Sequence, residues 1–186
     1  MNAPFAFAFP ATFFVEAAGE TSRCDDEVCF AKTVQIEGNE FKLVGTATYH
    51  FIFLDCYAAA LYTRSGHASL ESYRDTSQKI LAVQYLRTIS KDRIIDSSNE
   101  TIDSHPDYDA ANFSSELNQL YSLFHDVKDG DRAVLLFNFP SGVTLYFNSQ
   151  RLGQFEGPEF TSAYAGVWLS PYSVGRRFTR SLLGAQ

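Results

Sequence analysis

Cys56, held between Asp55 and Tyr57, is the side chain here most readily cast as a nucleophile. A thiol becomes reactive where a cation or a helix N-terminus stabilises the thiolate. Asp55 does the opposite, and the surrounding run "FLDCYAAALYT" (53–63) is apolar, which suits a small buried hydrophobe. The four histidines, at 50, 67, 105 and 125, form no HExxH or comparable pair. Acid pairs in "CDDE", "DYD" and "DGD" stand in turn-like or helix-start settings, where solvation or capping is the simpler role. Arg176, Arg177 and Arg180 form the one tight basic cluster and read as a solvated face near a helix C-terminus. No GxSxG elbow, Walker loop or GxGxxG occurs. We therefore expect no metal and no cofactor.

The elements that must position any site follow from composition and periodicity. A chain of 186 residues, 45% hydrophobic, holds one core, and 17 phenylalanines can build it bulky or line an apolar cavity. A net charge of −7 argues against nucleic acid and anionic membranes as non-specific partners. No apolar run reaches the length of a membrane-spanning helix. Residues 1–32 read as an N-terminal arm or export-related segment, apolar at its start and without a basic leader. Within it, Cys24 and Cys29 are either joined or free thiols. Together these two features point to an exported, periplasmic protein, with the cytoplasm as the alternative.

Residues 33–186 read as one domain. "TVQIEGNEFKLVGTATYHFIF" gives two strands joined at "GNE". In the second strand Phe41, Leu43 and Gly45 alternate with Lys42 and Val44, and Tyr49, Phe51 and Phe53 alternate with Thr48, His50 and Ile52. "KILAVQYLR" is a further strand. Ser90 then caps a helix over "KDRIIDSSNETID". Phe113, Leu117, Leu120, Leu123 and Phe124 predict a second helix ending at "KDGD". Two hairpins follow, turning at "PSG" and "SQ", and then a helix from Pro158 to Pro171 and a last short one. Such segregated runs predict an α+β fold, an antiparallel sheet with helices packed on one face. The other face is left to water or a long apolar ligand.

Several stretches together resemble the chalcone isomerase-like family, in its bacterial branch. "LVGTATYHFIFLDCYAAALYT" resembles the strand pair "LxGxGxRxxxxxKVYxAxLY", and "KILAVQYLRTISKDRI" is similar to the strand-to-helix step "L-x-L-x-Y-x-R-x-I-s". "DVKDGDRAVLLFNFPSGVTLYFNSQRLGQFEGPEF" looks like the family's paired hairpins, and "VWLSPYSVGRRFTRSLLG" its close. The resemblance spans about residues 33–184. It implies an open-faced β-sandwich with a cleft between sheet and helices. In that cleft plant members close chalcones to flavanones, using a strand arginine, a tyrosine and an asparagine. Other members hold a fatty-acid carboxylate with an arginine and a tyrosine.

The motif arginine is replaced by Tyr49, and no Arg or Lys lies between Lys42 and Arg64. Ile94 and Thr101 fall near the family's tyrosine and asparagine. A buried phenolate or carboxylate without a cation costs several kcal/mol. The sequence thus reads as a non-catalytic member that binds a hydrophobic small molecule, fatty-acid-like or aromatic. Tyr49, Phe51, Tyr57 and Tyr85 are its candidate ligand-binding residues, with His50 as the polar one. In the strand reading, Tyr57, Ala59 and Leu61 share one face and Cys56, Ala58, Ala60 and Tyr62 the other. Alternatives are an intramolecular lyase with a rearranged site, and a structural protein whose open sheet face meets a partner.

Overall fold

The computed structural model describes residues 13–15, 19–36, 38–75 and 77–184. Among them a three-stranded sheet comprises β1 (Phe14–Val15), β2 (Ser22–Asp25) and β3 (Val28–Ala31), in the order β1-β3-β2. The large sheet has seven antiparallel strands: β4 (Thr33–Ile36), β5 (Asn39–Phe51), β6 (Leu54–Thr63), β7 (Lys79–Tyr85), β8 (Arg132–Asn138), β9 (Gly142–Phe147) and β10 (Gln150–Glu156). They lie in the order β10-β9-β8-β7-β6-β5-β4, so every neighbour in space is a neighbour in sequence. Helices α1 (Lys91–Asp103), α2 (Ser114–Ser122), α3 (Pro158–Leu169) and α4 (Arg176–Leu182) complete the order.

Alternation along the central strands divides the interior into two layers. Ala59 and Leu61 of β6, Leu81 and Val83 of β7, and Leu135 and Phe137 of β8 point to the helices. Their neighbours Ala58, Ala60, Tyr62, Ile80, Ala82, Val134 and Leu136 point away. That second face is not left to water or a ligand. The small sheet covers it: Val28 and Phe30 join its core, Phe13 packs edge-on against Tyr62, and the Tyr62 hydroxyl donates to the Ala31 carbonyl at 2.9 Å. Cys24 and Cys29 are disulfide-bonded across the β2–β3 pair. Of the segment 1–32 expected as an arm, the described strands β1, β2 and β3 thus supply a layer of the core, and residues 1–12 lie outside the described residues.

Two bulges in the β5–β6 ladder break the simple alternation. Between Leu43 and Gly45 the register shifts, so Phe41 and Leu43 face the small sheet while Val44, Ala47 and Tyr49 face the helices. The alternation that grouped Phe41, Leu43 and Gly45 is reversed there, because an extra residue moves all that follow to the other face. The second shift leaves Cys56 unpaired between Asp55 and Tyr57. Cys56 turns to the same side as Tyr57, not to the side of Ala58.

The helices follow the sequence reading, with one boundary moved. The Ser90 side chain caps α1, accepting from the Arg93 N–H. The second helix ends at Ser122, short of "KDGD", since the chain must leave the helix to pair Val127 with Ile89. There Asp126 accepts from the Lys91 N–H at 2.9 Å, a second cap on α1. At the other end of the sheet Lys79 is buried and bonded to the Asp75 carboxylate, the Ser77 hydroxyl and the Ser77 carbonyl.

The tightest approach of helix to sheet is at Gly45. A Cβ there would lie 2.2 Å from the Ser181 carbonyl oxygen and 2.6 Å from that of Leu182, both backbone atoms of α4. Gly45→Ala is expected to lower stability by about 1–3 kcal/mol, the usual cost of overpacking, since no rotamer can relieve the contact. Urea denaturation of the variant beside the parent measures this, and an unchanged midpoint would show that α4 yields freely.

Candidate functional site

Tyr49, Tyr57 and Tyr85 come from three adjacent strands and meet because β5, β6 and β7 are hydrogen-bonded in register, Tyr49↔Tyr57 and Tyr57↔Tyr85. The rings of Tyr49 and Tyr57 stack with centroids 5.1 Å apart, and Tyr85 meets Tyr57 edge-on at 6.1 Å. Phe178 of α4 closes the layer, 5.8 Å from Tyr49 and 5.7 Å from Tyr57. On the other side Trp168 of α3 donates its indole N–H to the Tyr57 hydroxyl at 3.2 Å. Burial pushes all three phenols up, Tyr85 to about 12, so each is a neutral hydrogen-bonding group at physiological pH.

Above this aromatic floor is a cavity of about 380 Å³ between the sheet and α1, α3 and the α2–β8 connection. That volume is within the range of small-molecule sites. Its deep wall is apolar: Val83, Leu135, Leu145 and Val167 are buried and line it. One face of α1 supplies the polar side. Arg93, Ile94, Ser97, Ser98, Glu100 and Thr101 recur at helical spacing and all line the cavity. Ser98 and Thr101 donate their hydroxyl protons back to the Ile94 and Ser97 carbonyls, at 2.9 and 2.7 Å.

Four of the five candidate residues are brought together: Tyr49, Phe51, Tyr57 and Tyr85 all line the cavity. His50 does not. Strand alternation points it away from the helices, and its Nδ1 lies 2.6 Å from the Asp55 carboxylate, both half-exposed. Of the other histidines, His105 is buried with Nε2 3.1 Å from the Tyr73 hydroxyl, His67 is exposed, and His125 packs edge-on against Phe147 at the cavity's side. Among the described residues no group of three His, Cys, Asp or Glu is placed to hold a metal. Arg176, Arg177 and Arg180 are exposed on α4.

The cations that the strands lack come from elsewhere. Arg87, just past β7, and Arg93, in the first turn of α1, both line the cavity. The Arg93 guanidinium lies 4.6 Å from the centre of the Phe51 ring. Among the described residues neither arginine has a carboxylate within ion-pair distance. Their charges act on Cys56, and that of Arg93 on Tyr49, favouring the ionised forms. Sequence reasoning searched for a cation only on the early strand. The signal for Arg93 was its place three residues after the N-cap Ser90, one residue before the motif-matched Ile94.

Cys56 also lines the cavity, through its bulge. Burial is the main influence on it and raises its pKa above the ordinary value of 9.0. With Cys24 and Cys29 joined, Cys56 is the one free thiol. Labelling of the native protein with iodoacetamide is expected to stop at one equivalent and to stay slow until the pH exceeds 9. Fast labelling at neutral pH would instead reveal an activated thiolate.

A family model described as chalcone isomerase-like matches residues 25–184. No curated protein matches. Among solved structures, a fatty-acid binding protein of Arabidopsis thaliana superposes with a TM-score of 0.68 at 10% identity, covering 88% of this chain and 96% of that one. At that identity the likeness is one of fold. The family match covers nearly the whole domain, the sheet and helices share the fold of that solved structure, and the chain belongs to the chalcone isomerase-like family.

Proposed function

We propose that this protein binds, without transforming it, a hydrophobic small molecule with an anionic head, fatty-acid-like in shape. The observation that carries the reading is the apolar cavity with two arginines at its wall that, among the described residues, have no carboxylate within ion-pair distance. An acyl chain lies along Val83, Leu135, Leu145 and Val167, over Tyr57 and Tyr85. Its carboxylate is held at the end bounded by Tyr49 and Phe51, where Arg93 and the Tyr49 hydroxyl supply charge and a hydrogen bond. A fold neighbour described as a fatty-acid binding protein is in keeping with this. Arg93 removes the objection that a buried anion would go unpaired, because the cation arrives from α1 and not from β5.

The non-catalytic part of the proposal rests on what stands at the family's reactive positions. Ile94 and Thr101, which the motif matching puts near the family's tyrosine and asparagine, both line the cavity. Isoleucine has no proton to give, and the Thr101 proton is committed to the Ser97 carbonyl. We further propose an exported, periplasmic setting, which suits a chain whose small sheet carries a disulfide.

Titration with a long-chain fatty acid and with the corresponding alcohol tests the binding reading. Arg93→Ala is expected to weaken the acid by roughly tenfold to a hundredfold, the worth of a charge-assisted hydrogen bond, and to leave the alcohol nearly unchanged. Equal losses for both ligands would remove Arg93 as the anchor. No binding of either by the parent would overturn the reading itself, and chalcone turnover clearly above background would return the protein to the isomerases.

A further inference from the structure

We propose that the tip of the β5–β6 hairpin, Phe51–Leu54, inserts into a lipid surface and seats the cavity mouth against it. The inference rests on the binding reading above for its purpose, though not for its evidence. Among the described residues six large hydrophobic side chains are markedly exposed, and four of them are these consecutive residues. Ile52 is 73% exposed and Phe53 95%.

The turn chemistry makes this more than a chance patch. Ile52 and Phe53 are the two central residues between the last ladder pair, Phe51↔Leu54. Ile52 has φ +60°, a conformation that a β-branched residue rarely adopts. A two-residue hairpin with positive φ at its first central position strongly favours glycine there. The sequence instead places isoleucine and phenylalanine where the backbone and the solvent both disfavour them. Such a placement is intelligible if the tip's environment is not water.

The tip is also continuous with the cavity. The rungs His50↔Asp55 and Phe51↔Leu54 extend beyond the last β6–β7 pair, Tyr57↔Tyr85, so the hairpin end overhangs its neighbour. Phe51 and Leu54 are exposed on the outside and line the cavity on the inside. An apolar path therefore runs from the tip to the interior. Beside it stand Arg87 and Arg93, cations complementary to the phosphates of lipid headgroups. Glu100 lies two turns further along α1, and Asp55 is paired with His50. A net charge of −7 makes general attraction to an anionic surface unfavourable, so insertion of the four apolar side chains carries the attachment. Such a portal would draw a sparingly soluble ligand directly from the lipid phase.

Flotation of the full chain with phosphatidylcholine vesicles, beside the double variant Ile52→Gly, Phe53→Ser, tests the proposal. Gly-Ser fits the turn, so the variant is expected to fold at least as stably as the parent. Neither substituted residue lines the cavity, so affinity for a soluble fatty acid is expected to be retained. The parent should float with the vesicles and the variant about tenfold less or lower still, given the apolar area removed. A parent that stays unbound, or a variant that floats equally, would overturn the proposal. So would a concentration-dependent mass abolished by the variant without any vesicle binding, which would assign the tip to a second copy of the chain. Vesicle binding by a parent that takes up no fatty acid would sustain the surface contact while sinking the ligand reading. Fatty-acid uptake without vesicle binding would do the reverse.

Discussion

A β-sheet that is apolar on both faces survives in water only if both faces are covered, and this protein is organised by how unevenly that is done. On one side the small disulfide-bonded sheet lies flush, and Tyr62, Ile80 and Ala82 are wholly enclosed. On the other the helices pack tightly at two places. The end of α4 rests on Gly45 of β5, and α3 seals β8 and β9 through Phe160, Tyr164 and Val167. Between them, over the tyrosines of β5, β6 and β7, α1 stands off. The gap is the cavity. A glycine lets α4 come in at Gly45, and large side chains fill the space beneath α1 where Tyr49, Tyr57 and Tyr85 stack.

The charges obey the same geometry. The middle of β5 carries threonine, alanine and tyrosine, and a cation there would face the core. By entering from the first turn of α1, Arg93 keeps its guanidinium near solvent, on the Phe51 ring, while its field reaches Tyr49 and Cys56. A cation so placed avoids most of the desolvation cost of a buried one. In the binding proposed above, it would set the anionic head toward the hairpin tip and the apolar tail toward α3. The tip itself, with Ile52 held at positive φ, belongs to that same end of the molecule.

Much of this was legible in the chain because the cues are local. Ser90 followed by Lys91, Asp92 and Arg93 reads as a capped helix start, and the cap is there. "KILAVQY" alternates without a break, and Leu81 and Val83 lie opposite Ile80 and Ala82 as that alternation requires. Tyr49, Tyr57 and Tyr85 were named as candidates, and the register of three adjacent strands is what brings them together. The errors fell where one residue too many enters a strand. Val44 and Cys56 each shift the register by one, and alternation cannot signal that, since the bulged residue differs in no obvious way from its neighbours. His50 was placed in the wall as a polar option, whereas the strand's alternation turns it outward to Asp55.

The sequence by itself determined the order of elements, the family and the loss of the strand arginine, because each is written in residue types at short separations. It also set that Ala58 and Ala60 of β6 lie on the face opposite to Ala59. Only the tertiary structure decided that β1, β2 and β3 form a second layer, that Cys56 enters the cavity, and that Arg87 and Arg93 line it although the strands bring no cation. Those outcomes depend on contacts between residues far apart in the chain. Phe13 on Tyr62 and Arg93 on Phe51 are made by the packing of whole elements, and no periodicity within either segment encodes them.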